Sequence, residues 1–328
     1  MSNNYFNPMR PRQRDHHEQV ASRSASLRKR SACVARFTVP LVAGLLSSCV
    51  SLTTLPRAVV EQPDGSLVVR SIPCTGTGIG FAPAETASRG ALDPRAIRVL
   101  TWNIHKQDDA GWDRDLALFA ATSDLVLLQE AVLSPSLRAI LNAEKLRFTM
   151  ASSFIYGDAD IGVLSAARVT PNAECAERVV EPWLRIPKSA TVSWFNLAGT
   201  NQTLAVVNVH AINFSLSVSG YRAQFVSLVG ALRNHDGPIL FAGDFNTWTD
   251  ERLEVVREAT AALKLTEITI ADDRRSLFLG HQLDHLLLRG LDVVTATVFA
   301  VKSSDHNPVT ATLRSRNPLT IARSPISA

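Results

Sequence analysis

From Ile97 onward the apolar residues of this 328-residue chain fall into short runs, and several of those runs stop abruptly at a polar or charged residue. Short runs rich in Val, Ile and Leu, bounded by Gly, Pro, Ser or Asp, read as strands. Ile97 to Asn103 alternates into such a strand, and Leu125 to Leu128 is a continuous apolar run that discharges into Gln129-Glu130. Further strands are expected at Ile161 to Ser165, Thr191 to Leu197, Leu204 to His210 and from Pro238 to Asp244. Asp284 to Leu288, Leu291 to Val301 and Pro308 to Leu313 close the series. Helical spacing appears between them, over Asp113 to Ala121, Val218 to Asn234 and Asp250 to Leu263. Ser134-Pro135 supplies an N-cap and a first-turn proline for a helix reaching about Asn142. Tyr221, Phe225, Leu228, Val229 and Leu232 share one helical face, which assigns those aromatics to the core.

Strands broken by helices, with the last strands adjacent in sequence, predict an α/β fold of mixed or stacked sheets with helices outside. The polar residues then fix strand direction. Asn103, Glu130, His210 and Asp244 end their strands, whereas Asp284 opens one and Asp305-His306 precede another. For all of them to meet at one edge, the Asp284 strand and the strand after His306 must run antiparallel to the other four.

The N-terminal region has a different texture. Residues 1–36 are polar, irregular and rich in Arg, Ser, Gln and His, a composition that predicts a disordered basic leader. Arg28-Lys29-Arg30 and Arg36 then precede an apolar segment, Phe37 to Leu46, ending in Leu46-Ser47-Ser48-Cys49. A basic flank, a short apolar run and small residues before a cysteine are the parts of a secretory signal, too short to span a bilayer comfortably; an uncleaved anchor or a disordered cytosolic extension is the alternative. Residues 50–95 read as a linker with some extended pieces, 96–316 as the folded domain and 317–328 as a flexible tail.

Charge sharpens this division. The formal charge is +4, but residues 1–57 carry nine Lys and Arg against two Asp and Glu, so the remainder holds 25 basic and 28 acidic residues. A fold that is mildly acidic overall cannot hold a polyanion by bulk phosphate neutralisation, so a phosphate-bearing partner has to be recognised at a local site. Cys33, Cys49, Cys74 and Cys175 show no zinc spacing. In an oxidising compartment Cys74 and Cys175 could pair and pin the linker to the domain.

The constellation of Glu130, Asp244, Asp284 and Asp305 with Asn103, Asn246, His210 and His306 is rich in hard oxygen donors and lacks thiolates. Such a set suits Mg2+ or Mn2+ rather than zinc. Asp244 and Asn246, two apart, could hold and deprotonate a water between them, or could simply turn the chain after a strand. The motifs Thr-Trp-Asn103, Leu-Gln-Glu130, Asn-Val-His210, Gly-Asp244-Phe-Asn246, Leu-Asp284-His and Ser-Asp305-His306-Asn-Pro occur in an order that resembles the endonuclease/exonuclease/phosphatase superfamily, the DNase I-like group. Trp-Asn-Ile-His-Lys106, Ala-Ile-Asn213-Phe-Ser and Asp-Asp-Arg-Arg275 are similar to its bacterial YafD-type branch. Leu-Ser-Ser-Cys49 resembles the lipobox of bacterial lipoproteins, which implies lipidation at Cys49 and a cell-envelope location, lipid-anchored or periplasmic; without it the chain would be cytoplasmic.

The resemblance implies a four-layered α/β/β/α sandwich of two mixed sheets and a monomer that hydrolyses phosphate esters. It implies Glu130 as principal metal ligand with Asn103 and Asp305 beside it, Asp244 activating water with Asn246, and His210 with His306, the latter aligned by Asp284, facing the phosphoryl oxygens. Lys106, Lys188 and Asn213 are candidates for substrate phosphate, with solvent-exposed or bracing roles equally open. His105, His281 and His285 are read as structural, Trp102, Phe245 and Trp248 as packing beneath the site, and Glu254, Arg257 and Glu258 as a solvated helix face. A nuclease-type phosphodiesterase is the leading expectation. A phosphomonoesterase, or a phospholipid or inositol-phosphate hydrolase, shares the same chemistry, and an inactive binding protein shares the fold. No exposed apolar hairpin of the kind a lipid-cleaving enzyme needs is evident in the pattern.

Overall fold

The computed structural model describes residues 50–51, 57–74, 80–81, 90–181, 185–215 and 217–316; the readings for 1–49 and 317–328 lie outside these residues. The N-terminal arm forms β1 (Val50–Ser51), β2 (Arg57–Glu61), β3 (Leu67–Arg70) and β4 (Gly80–Phe81). Then follow β5 (Ile97–Asn103), α1 (Trp112–Ala121), β6 (Leu125–Val132), α2 (Pro135–Ala143), β7 (Arg147–Tyr156) and β8 (Ala159–Ala167). The second half comprises β9 (Ala173–Val180), β10 (Pro187–Asn196), β11 (Thr203–His210), α3 (Ser219–Leu232), β12 (Ile239–Asp244) and α4 (Asp250–Leu263). The chain closes with β13 (Thr266–Glu267), β14 (Leu277–Phe278), β15 (His281–Gln282), β16 (Asp284–Arg289), β17 (Leu291–Val298) and β18 (Val309–Ser315).

Two large mixed sheets result. One runs β17-β18-β5-β6-β8-β7-β2-β3, with β1 added on β7; the other runs β13-β16-β12-β11-β10-β9-β4. Strand alternation decides what each face meets. Ile97, Val99, Leu125 and Leu127 of the first sheet pack against Leu204, Val206, Leu240, Ala242, Leu286 and Leu288 of the second. The intervening Leu100, Trp102, Val126 and Leu128 turn outward against Leu116 and Phe119 of α1 and Leu137 and Leu141 of α2. On the far side Val207, Val209 and Phe241 meet Tyr221, Phe225 and Leu228 of α3 and Val255 and Val256 of α4. Helix, sheet, sheet and helix are therefore the four layers, as expected.

Strand polarity also agrees with the reading from polar termini. β5 and β6 are parallel, as are β11 and β12, whereas β16 is antiparallel to β12 and β18 antiparallel to β5. The linker reading needs correction. Residues 57–70 are a hairpin whose β2 joins the first sheet through β7, Pro73 bridges Ala176, and Cys74 is disulfide-bonded to Cys175 in β9 of the second sheet. Pro63-Asp64-Gly65 between the Val59-Val60 and Val68-Val69 pairs is the turn signal for that hairpin, with Gly65 at φ 80°. β7 and β9 have no counterpart among the expected strands, because Ser152, Ser153, Glu174 and Glu177 interrupt their apolar pattern.

Candidate active site

Alternation, extended to the strand ends, assembles the site. Asn103 continues the inward series Ile97 and Val99; His210 continues Leu204 and Val206; Asp244 continues Leu240 and Ala242; and Asp284 precedes Leu286 and Leu288. Within the second sheet His210 lies opposite Asp244, and Asp244 opposite Asp284. One position deeper the inward residues are still polar: Gln129 Nε2 donates to Asn208 Oδ1 at 2.6 Å across the sheets, and Asn208 Nδ2 donates to the Leu164 carbonyl at 3.0 Å. This amide bridge ties the sheets together beneath the site; both residues stand in the motifs Leu-Gln-Glu130 and Asn-Val-His210, but spacing alone does not show that they meet.

Glu130 would point outward by alternation. A β-bulge between Leu128 and Ala131, with Glu130 at φ 52°, turns it instead into the site. Its carboxylate meets the ammoniums of Lys106, in direct contact, and Lys188 at 3.9 Å, and lies 3.6 Å from His210 Nε2. Lys106 is presented by a turn in which His105, Lys106 and Gln107 all have positive φ, 44°, 55° and 65°. Such a run of non-glycine residues stores backbone strain, which the lysine contact helps to hold.

Asp244 is the hub. Its side chain is 2% exposed; Oδ2 accepts from Asn103 Nδ2 at 3.0 Å and lies 3.4 Å from His210 Nε2 and 3.9 Å from His306 Nε2. Its other oxygen accepts the Asn246 backbone N–H at 3.0 Å, and Asn246 Nδ2 donates to the Ala211 carbonyl at 3.0 Å. Gly243 lets this strand end press on β11: a Cβ there would sit 2.1 Å from the Val209 carbonyl oxygen, and its φ is 135°.

The two imidazoles are in different states. His306 Nδ1 is 2.8 Å from Asp284 Oδ2. Burial opposes its charge, but Asp284 and Asp244 overcome that and raise its pKa to about 10, so it is cationic at neutral pH. His210 is lowered to about 4 by burial and then by Lys188, whose Nζ is 2.8 Å from Nε2. At neutral pH it is an acceptor for that ammonium. Burial pushes Lys188 down as well. Burial would raise Glu130, yet His210, cationic in the acid range where Glu130 titrates, and the two lysines bring it to about 2.

Of the remaining predicted residues, Asp305 stands at the rim, 60% exposed, with Oδ1 4.0 Å from His105 Nδ1. Asn213 braces a loop, its Oδ1 accepting from Trp248 Nε1 at 3.0 Å and its backbone carbonyl from Arg252 Nη2 at 2.6 Å. Trp102 and Phe245 lie buried below the site, the Trp102 Nε1 donating to the His306 carbonyl at 2.9 Å. His285 is structural, held between Thr247 Oγ1 at 2.7 Å and Glu267 Oε2 at 3.0 Å, and Glu254 pairs with Arg257 on an exposed helix face. One sequence reading fails here. A short hairpin of β14 and β15 carries Leu277, Phe278 and Leu279, exposed by 63%, 53% and 71%, directly beside the site. An apolar run of that length looks like core in a sequence, and only the register of the hairpin shows that its tip projects.

Among the described residues no three His, Cys, Asp or Glu side chains could hold a metal ion unaided. The donor chemistry nevertheless fits a hard cation. Glu130 is ionised and already gathers positive charge, Asn103 Oδ1 accepts the His105 N–H at 3.0 Å, and magnesium ordinarily takes one or two carboxylates with water and substrate oxygens.

A model of the Endonuclease/Exonuclease/phosphatase family matches residues 100–306. The chain belongs to that family. Members of the Endonuclease/Exonuclease/phosphatase family are in general hydrolases of phosphate esters that commonly use divalent metals such as Mg2+. Among relatives, a UPF0294 protein of Vibrio parahaemolyticus is 37% identical over 281 residues, 84% of this chain and 96% of that protein. A UPF0294 protein of Klebsiella pneumoniae is 36% identical over 234 residues, 71% of this chain and 88% of that one. Among solved structures, a family member from Bacteroides vulgatus superposes with a TM-score of 0.54 at 18% identity, covering 67% of this chain and 99% of its own. The catalytic domain of human Nocturnin with bound sulfate anion gives 0.51 at 18%, covering 69% and 96%. At such identities these two structures share the fold.

Proposed function

We infer that this chain is a metal-dependent phosphodiesterase of nuclease type, with Asp244 as the base that takes a proton from the attacking water. The observation that carries this reading is the convergence of Asn103, Asn246, His210 and His306 on one buried carboxylate. Asn103 and the Asn246 backbone hold Asp244 in a single orientation, so little reorganisation is needed when it receives the proton. His306, kept cationic by Asp284, and the Lys188 ammonium on His210 present positive charge to the non-bridging phosphoryl oxygens as the P–O bond breaks in line with the incoming water. Glu130, with Asn103 and with Asp305 on the facing loop, would hold Mg2+ or Mn2+. A divalent ion bound there supplies Lewis-acid polarisation of the phosphoryl group. Lys106 lies against Glu130 and is placed to meet either the cation's shell or the substrate phosphate.

Asp244→Ala and His306→Ala should each lower hydrolysis of an aryl phosphodiester at least 100-fold, on the order of a general-base or charge-stabilising contribution, when assayed at a temperature where circular dichroism shows each variant to be folded. Wild-type rates in both variants, assayed with Mg2+ and with Mn2+, would refute the assignment.

A further inference from the structure

Strand polarity determines what else lies at the catalytic end of the sheets. β5, β6, β11 and β12 finish there, so the β7–β8 hairpin, with β8 antiparallel to β6, brings Tyr156 to the same end. β10 runs antiparallel to β11, and β9 antiparallel to β10, so the start of β10 lies at that end with Ile186 just before it. Phe214 follows His210 at that end, and the Leu277–Leu279 tip projects from it. All of these side chains are more than a third exposed, from Ile186 at 39% to Leu279 at 71%. The tip is held firmly: Ser276 Oγ donates to the Asp305 carbonyl at 3.0 Å, Thr247 Oγ1 donates to the Gln282 carbonyl, and Phe278 sets its edge against Trp248 at 6.4 Å. A rigid apolar rim around a polar mouth marks an interaction surface.

Two independent observations say what covers it. β1 pairs Val50 with Tyr156 and Ser51 with Ile155, so the residue that follows Cys49 is fixed at this same rim, three strands from β6, roughly 14 Å. Val50 is thus where the described fold begins, and the apolar run Phe37 to Leu46 lies a few positions earlier in the sequence. Second, the Cys74–Cys175 disulfide belongs to an oxidising compartment, outside the cytosol. We propose that the rim is a bilayer-docking face, in which the Leu277–Leu279 tip, flanked by Phe214, Ile186 and Tyr156, enters the interfacial region of a lipid bilayer and turns the mouth toward phosphate esters presented at its surface. The phosphodiesterase reading supplies what the docked site would do; docking itself does not depend on it. Because residues beyond Arg57 carry 25 basic against 28 acidic side chains, docking draws on apolar contact and occurs on zwitterionic lipid.

The test is amide hydrogen exchange of the full chain with and without phosphatidylcholine vesicles, alongside vesicle co-sedimentation. Protection is expected at 276–283 and 212–215. A chain that co-sediments without protection there, held by its N-terminal segment alone, overturns the proposal, and so does a chain that does not co-sediment. A Leu277→Ser, Phe278→Ser, Leu279→Ser variant should lose protection at 212–215, while its rate on a soluble aryl phosphodiester stays within twofold of wild type. A parallel loss of soluble activity would make the tip part of the catalytic cycle and also overturn docking as its role. If neither protein cleaves any phosphate ester, the phosphodiesterase reading fails while the exchange result still decides docking.

Discussion

Replacing Asp284 by Asn tests the electrostatic core of the site through stability, independently of any substrate. In the wild type His306 titrates at about 10 when folded, against about 6.5 in an unfolded chain. A raised histidine contributes its full stability below the unfolded value and loses it as pH rises through the folded one. Linkage at about 1.36 kcal/mol per unit gives an upper bound of about 4 kcal/mol at pH 7, falling to about 1 kcal/mol at pH 9. Asp284 is the larger of the two favourable influences, and Asp244, 3.9 Å from Nε2, retains its share in the variant. Asn can still accept from Nδ1–H, so shape and hydrogen bond survive and only the charge is removed. Asp284→Asn should therefore lower unfolding free energy by about 2 to 4 kcal/mol at pH 7, in line with breaking a buried ion pair, and by less than about 1 kcal/mol above pH 9. Urea unfolding under non-reducing conditions at pH 6, 7, 9 and 10 measures the difference, and imidazole nitrogen shifts report the His306 charge directly. Equal destabilisation at every pH, or a wild-type His306 that titrates near 6.5, would refute the reasoning.

Other expectations follow from single positions. Glu177 in β9 is raised to about 7 by burial, and one of its carboxylate oxygens has no hydrogen-bond partner. Its ionisation thus destabilises the fold progressively above the ordinary carboxylate range, and Glu177→Gln should add about 1 to 3 kcal/mol at pH 8 and nearly nothing at pH 5 by chemical denaturation. Gly243→Ala should cost at least about 2 kcal/mol, because the new methyl group meets a backbone oxygen at 2.1 Å, and should displace Asp244 enough to abolish activity. Gly230→Ala, in α3 with open space around it, is the control and should be neutral or slightly stabilising in a thermal melt.

Much of this molecule was legible in its sequence because strand alternation and strand polarity are both one-dimensional signals. Leu204, Val206 and His210 share a parity, and that parity alone sends the histidine between the sheets; the abrupt polar ends at Asn103, Asp244 and Asp284 then predicted the relative strand directions. What stayed hidden depends on local breaks in periodicity or on long-range contact. Alternation aims Glu130 at the wrong face until the bulge turns it. The division of charge between His210 and His306 needs burial and the positions of Lys188 and Asp284, which spacing does not give. The exposed tip Leu277–Leu279 and the strands β2 and β3 show two different misses: an apolar hairpin tip that the pattern does not reveal, and a Pro- and Gly-punctuated stretch expected to be linker with extended pieces whose residues 57–70 form a sheet hairpin.

The N-terminal arm has one more implication. It lies on the first sheet through β2 and is bonded covalently to the second through Cys74, the two cysteines standing 101 positions apart. It works as a clasp along one side of a book whose pages are the two sheets and whose top edge, the ends of β5, β6, β11 and β12, bears the candidate active-site groups. Reduction of that single bond would free the clasp without touching a catalytic side chain. Loss of activity on reduction would then report the pages parting, and the enzyme's working form would be tied to the place where the clasp can shut.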